Sequence, residues 1–340
     1  MKSLATSLLF CVCLLAANSP CADAVVLAYH HVDASTPAST SISPELFRQH
    51  LKFLRDNQYQ VVPLHRISTT LRQGQPMPSK QVALTFDDGY ISVFTQAWPL
   101  LQEFGFPFTV FVHTSAIGEQ AGKHMSWTQL TRLRDNGVEI ANHSHQHAHL
   151  PALSLEQAMD DIAQAQQLLH QQLGVRSSHV AYPYGEFSPA LAAAVQAQGW
   201  VGFGQHSGAI GQHSSIAALP RFPVSGNYAK LSAFAQRINT VSMPVRPEPA
   251  NGLVTLKVQP SVQLRFANGQ PPAGLACYAT GQGVMQLTAN ASGVRIRPKQ
   301  PLAVGRTKFN CTAPSSQAGQ FQWWSYLVMK PNADGSWYGW

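Results

Sequence analysis

Past its first two dozen residues, the chain has no apolar run long enough to cross a bilayer. That excludes a helical membrane protein for residues 25–340. There is also no run of basic residues, no basic helix and no zinc-finger spacing, so a formal net charge of +7 does not point to nucleic acid. Scattered positive charge suits an anionic envelope or polymer surface at most. Cysteine is scarce too. Of the five, Cys11, Cys13 and Cys21 fall in the first 24 residues, leaving Cys277 and Cys311. Two cysteines in an exported chain predict one disulfide, and their distance from the histidine-rich region argues against a metal role.

What is present begins with a leader. Lys2 precedes a mostly apolar stretch from Leu4 to Ala17, and Ala22-Asp23-Ala24 fits a small-residue cleavage signal. This reads as a secretory signal peptide over 1–24, with a secreted or periplasmic product. "NSP" before Cys21 is a poor lipoprotein box, so no lipid anchor is expected.

Residues 25–242 then alternate strand-like and helix-like segments. "VVLAYHHV", "VALTF", "FPFTVFVHTS", "VEIANHSH" and "SHVAYPYG" are apolar, β-rich runs. Between them lie segments with helical spacing and stops, such as Ser43-Pro44 ahead of Leu46, Phe47, Leu51 and Leu54, or Gly174 after 154–173. Alternation of this kind implies a mostly parallel sheet with helices outside it, either open or closed into a barrel. Residues 243–252, "MPVRPEPANG", read as a linker. Residues 253–340 hold short alternating runs and no evident amphipathic helix, which predicts an all-β sandwich carrying Cys277 and Cys311 on strands.

Three clusters hold the candidate chemistry. "LTFDDGY" ends a buried strand with Asp87 and Asp88, a place where α/β folds put their sites, although Asp-Asp-Gly also suits a helix start. "NHSHQHAHL" has four histidines within 143–149. His143 and His147 are spaced to face one ion, and His145 with His149 is the other possible pair. "AYPYGEF" carries turn chemistry at Pro183-Tyr184-Gly185, able to aim a backbone N–H into a site or simply to close a loop.

Together, and in this order, the three resemble the motifs of the polysaccharide deacetylases, the family 4 carbohydrate esterases. Thr85 to Gly89 matches T-F-D-D-G, His143, Ser144 and His147 match H-S/T-x-x-H, and Pro183, Tyr184 and Gly185 match the end of R-x-P-Y-G. The resemblance covers about 25–240 and implies a distorted (β/α) barrel. It implies that Asp88, His143 and His147 hold one divalent metal ion, usually zinc, and that Asp87 is the general base. The Tyr184 N–H would help stabilise the oxyanion. Pro183, Tyr184 and Trp127 are the candidate substrate contacts.

Two family features are missing. Ala181 stands where the third motif has arginine, and neither "GFGQHSGAIG" nor "LPRFPVSG" supplies the late Leu-x-His acid. Both gaps resemble the poly-β-1,6-N-acetylglucosamine deacetylases, which carry the acid histidine early, in a Tyr-His pair. His30 then takes that role, with His206 as rival and His31 directed the other way on its strand. The expected substrate is an N-acetylated exopolysaccharide, with chitin oligomers or peptidoglycan as enzyme alternatives. The missing arginine leaves a different class open, a glycan-binding protein on an inactive deacetylase fold. "QFQWWSYLV" and "SWYGW" offer aromatics either for sugar stacking or for a sandwich core. No nucleic-acid partner is expected, and a monomer is.

Overall fold

The computed structural model describes residues 23–118 and 122–339. The expected leader lies outside the described residues except at its end. There, Ala24 exchanges backbone hydrogen bonds with Ile210 at 3.0 and 2.7 Å, and the Asp23 carboxylate accepts from the Ser242 N–H at 2.6 Å. Asp23 and Ala24 are therefore built into the fold. No described helix is long and apolar enough to cross a membrane.

The catalytic-side sheet is parallel throughout. Its strands are β1 (Ala24–Tyr29), β2 (Gln81–Phe86), β3 (Thr109–Val112), β4 (Glu139–Asn142), β5 (His179–Ala181), β6 (Val201–Phe203) and β7 (Phe222–Pro223). The order is β7-β1-β2-β3-β4-β5-β6, with a short strand Gln60–Val61 also on β2. β1 and β2 are buried at every position, as strands covered on both faces must be. Phe203 bridges Leu219 while Phe222 pairs with Leu27, so residues 219–223 touch both edges of the sheet. The result is the distorted barrel expected, closed by an irregular seam. Odd-numbered Val25, Leu27 and Tyr29 pack with the outer helices; Ala24 and Val26 join Ala83, Phe111 and Phe203 inside.

The helices form where the sequence signals them. Ser43 caps Pro44–Asp56 through the Leu46 N–H, and Ser154 with Gln157 makes a capping box on Leu155–Leu173, which Gly174 ends in the left-handed region.

The C-terminal region is two packed antiparallel-rich sheets. One contains Ala276–Ala279, β8 (Gly305–Pro314) and β9 (Phe321–Lys330); the other contains Val245–Glu248, Val262–Phe266, Gln286–Asn290 and Gly293–Arg297. Their shared core includes Val262, Leu264, Ile296, Phe309 and Val328. Cys277 and Cys311 are buried, directly opposed across two strands, and disulfide-bonded. The stretch 243–252 is more than a linker. Val245–Glu248 pairs with Val262–Phe266, and its proline sits on an outer strand of its sheet, where a missing N–H is tolerated. Thr240–Ser242, just before it, pairs with β9. Trp323 packs edge-on to Phe222 of the barrel and Trp324 stacks on Tyr326 beside the sandwich core. The two tryptophans face opposite ways, and both have packing roles.

Candidate metal and catalytic site

On β2 the inward series Ala83, Thr85 continues to Asp87, because strand side chains alternate. Asp87 is fully buried. Arg221, from the barrel seam and equally buried, grips it with Nη1–Oδ1 at 2.6 Å and Nη2–Oδ2 at 2.8 Å. The same guanidinium donates to Thr85 Oγ1 and to the Gly204 carbonyl. Burial would raise the Asp87 pKa, but Arg221, His143 and His30 outweigh it and hold the carboxyl below its ordinary value. Sequence reasoning missed Arg221. It supplies a fixed cation to Asp87, the service lost with Ala181, and "LPRF" offered only a lone arginine as signal.

Asp88 leaves the strand with φ 73°, in the left-handed region, and faces His143 and His147. Its Oδ1 lies 3.3 Å from His143 Nε2 and 3.1 Å from His147 Nε2. The ligand atoms of all three residues lie within 4.8 Å of one another. Asp88 Oδ1 and His143 Nε2 are buried with no well-aligned hydrogen bond, a costly state that a cation would relieve. His143 Nδ1 is engaged by the Ala181 carbonyl at 2.7 Å, which directs Nε2 into the site. This donor set, one carboxylate and two imidazoles on one side, fits a divalent ion with positions left for water and substrate.

The histidine loop is pinned from behind. Asn142 accepts from the Ser144 N–H, Ser144 Oγ from the His147 N–H, and Asp161 from the N–H groups of His145 and Gln146. Ser144, His147 and Tyr184 all take positive φ, at 69°, 54° and 58°. With Asp88, they make four of the seven non-glycine cases among the described residues, so backbone strain is concentrated at this site. The structure brings one of the two histidine pairs to Asp88. His145 is turned to Thr114 at 2.8 Å, and His149 bonds Glu186 at 2.7 Å, while His143 and His147 join Asp88.

Tyr184 lies with its ring stacked on His149, centroids 4.1 Å apart, and edge-on to His147 at 4.6 Å. Gly185 must be glycine here, since a Cβ would stand 2.6 Å from the Gln205 backbone nitrogen and φ is 70°. Pro183 is buried, so it shapes the turn and leaves the exposed surface of the motif to Tyr184. Trp127 starts the helix Trp127–Asp135 and packs, half-buried, against the main core. His30 follows β1 on the inward parity of Ala24 and Val26, half-buried, and its charge bears on both Asp87 and Asp88. His31 stacks on Tyr90 with ring centres 3.5 Å apart, and the Asp88 carboxylate acts on it as well. His206 lines a cavity between the domains, with Phe187 and Trp323, and burial with nearby Lys308 and Arg221 pushes it down to about 3. Sequence reasoning also passed over His113 and His124, which pack edge-on at 5.2 Å with His113 5.0 Å from His147.

This geometry meets an independent finding: residues 74–202 match the family model described as polysaccharide deacetylase. That segment, 74–202, belongs to the polysaccharide deacetylase family. Among relatives of this chain, the poly-β-1,6-N-acetyl-D-glucosamine N-deacetylase of Escherichia coli K12 is 25% identical over 260 residues. That match covers 64% of this chain and 38% of the relative, so the chain spans well under half of that protein's length. The structure of IcaB from Ammonifex degensii is 26% identical with TM-score 0.57, covering 62% of this chain and 96% of that one. The Streptococcus pyogenes deacetylase PplD, solved with acetate, shares the fold at 21% identity and TM-score 0.59, over 64% and 98% of the two chains.

Proposed function

We propose that this deacetylase hydrolyses N-acetyl groups of a β-linked N-acetylglucosamine polysaccharide, leaving free amines and acetate. The observation that carries the reading is the buried Asp87–Arg221 pair set beside Asp88, His143 and His147. A divalent ion held by those three, with zinc the favoured identity, would polarise the acetamide carbonyl and acidify water.

Asp87 does the proton work at the start. Held charged by Arg221, it enters the reaction as a base and takes a proton from the attacking water. The water oxygen bonds to the carbonyl carbon, and the Tyr184 N–H faces the developing oxyanion. The C–N bond then breaks. His30, on the inward side of β1, gives the proton that the departing amine needs, while His206 looks into the interdomain cavity. Tyr184 and Trp127 are the sugar contacts in this reading.

A β-1,6-linked exopolysaccharide is the preferred substrate because the Escherichia coli relative and those of Staphylococcus aureus bear that substrate in their names. Arg221 removes the reason for preferring an inactive glycan-binding fold, since Asp87 does not lack its cation. The leader and the disulfide support a secreted or periplasmic site of action. The test is acetate release by zinc-loaded protein from β-1,6-linked N-acetylglucosamine oligomers, chitin oligomers and peptidoglycan, compared as kcat/KM. The β-1,6 oligomer should give the highest value. A higher value for either of the others reassigns the substrate.

A further inference from the structure

The active-site loops are held from outside the barrel. Arg306 and Lys308 stand two apart on β8, so they share a face of that strand, and both reach across the domain boundary. Arg306 donates from Nη1 to the Tyr184 carbonyl, forms an ion pair with Glu186 (Nε–Oε1 3.3 Å), and lies 6.0 Å from the Tyr184 ring centre. Lys308 Nζ donates to the Gln205 carbonyl at 2.6 Å. Gln205 in turn reaches Asp87 Oδ2 through its side-chain amide at 3.4 Å, and its backbone is the wall against which Gly185 packs.

Glu186 completes the arrangement. Its side chain is fully buried and has four partners: hydrogen bonds from His149, Trp337 Nε1 and Tyr338 Oη, and an ion pair with Arg306. Three of these four come from the C-terminal region. A buried carboxylate stripped of such donors is costly, so the loop 183–186 keeps this shape only with that region docked. Cations aimed at main-chain carbonyls add little to domain adhesion compared with apolar packing, whereas they do fix where those carbonyls stand. Both carbonyls belong to residues that touch the site: Tyr184 beside His147, and Gln205 beside Asp87.

We propose that Arg306 and Lys308 are positioning residues for deacetylation, so the C-terminal sandwich is a structural part of the active site. They hold the 183–186 turn and Gln205 in register with Asp87. The inference rests on the deacetylase reading, and its test separates the two. Full-length Arg306→Ala with Lys308→Met is compared with the wild type, with conservative Lys308→Arg, and with Arg265→Ala as a same-domain control. Three readouts are taken: kcat and KM on a β-1,6-linked N-acetylglucosamine oligomer, zinc titration, and amide hydrogen exchange of the peptide spanning 182–187.

The double variant should lose about tenfold to a hundredfold in kcat, the scale of a small misplacement of reacting groups. KM and zinc affinity should stay near wild type, and exchange at 182–187 should rise, while the control and Lys308→Arg keep most of the activity. Unchanged kcat with unchanged exchange overturns the proposal. A rise in KM at constant kcat also overturns it, since the sandwich would then be binding substrate instead. If the wild type releases no acetate from any polymer, exchange alone decides: faster exchange in the double variant upholds the clamp while the deacetylase reading falls, and unchanged exchange sinks the clamp.

Discussion

The barrel and the sandwich handle charge and polarity in opposite ways. In the barrel, Asp87 and Arg221 pair with no exposure at all; in the sandwich, Arg265 and Glu248 pair with side chains 49% and 53% exposed. All 14 histidines lie before residue 214, and both of the cysteines beyond residue 24 lie after it. The barrel thus stores ionisable groups out of water, at a thermodynamic cost that makes sense only for chemistry. The sandwich is stapled covalently and leaves most of its charges in solvent, Lys308 at the barrel boundary apart.

That contrast can be broken most forcefully at Arg221. Arg221→Met leaves Asp87 buried and unpaired, and should cost about 3–5 kcal/mol of stability. It should also let burial raise the Asp87 pKa, so the acid limb of the pH–rate profile moves to higher pH and activity recovers as pH rises. Denaturation and a pH profile of the variant check both. An unmoved acid limb would mean that Asp87 is not the titrating base.

Next in size is the staple. Cys277→Ala with Cys311→Ala should destabilise the protein by about 2–4 kcal/mol, seen as a lower urea midpoint. Zinc titration of this variant should match that of the wild type, because the proposed ligands Asp88, His143 and His147 sit in the barrel.

Acid should act on the barrel instead. His50 is buried between Tyr29 and the Ala229 carbonyl, and burial lowers it to about 4 from an ordinary 6.5. The folded state therefore resists protonation there. Its full stability is present above pH 6.5 and is lost as pH falls from 6.5 towards 4, by roughly 2–3 kcal/mol. The fall of the urea midpoint across that window should become shallower in His50→Gln, which has no charge to gain, while buried His206, lowered to about 3, keeps its own share. The smallest effect belongs to the exposed pair: Arg265→Ala should leave the urea midpoint close to that of the wild type. A loss there as large as that for Arg221→Met would erase the distinction.

How much of this was legible in the sequence follows from distance along the chain. Asp87 and Asp88 follow one strand, and His143 and His147 lie in the loop after another, each pair within a short motif, so spacing brought them forward as candidates. The β-sandwich showed in its alternation, and the disulfide in the cysteine count. Arg221 did not show, because it reaches Asp87 from the irregular seam that closes the barrel, 134 positions away in sequence. Glu186 was quoted within "AYPYGEF" yet looked like an ordinary turn flank, since its partners Arg306, Trp337 and Tyr338 lie over a hundred residues later. The strand within 243–252 was hidden by prolines, which suit a linker and an outer strand equally well.

The measurement that tests the central claim most directly is acetate release by the zinc-loaded wild type beside Asp87→Asn, on a β-1,6-linked N-acetylglucosamine oligomer. The account predicts release by the wild type and a loss of about 10²–10⁴-fold in the variant, the range for removing a general base. Equal rates, or no release from a wild type that has bound zinc, would contradict it.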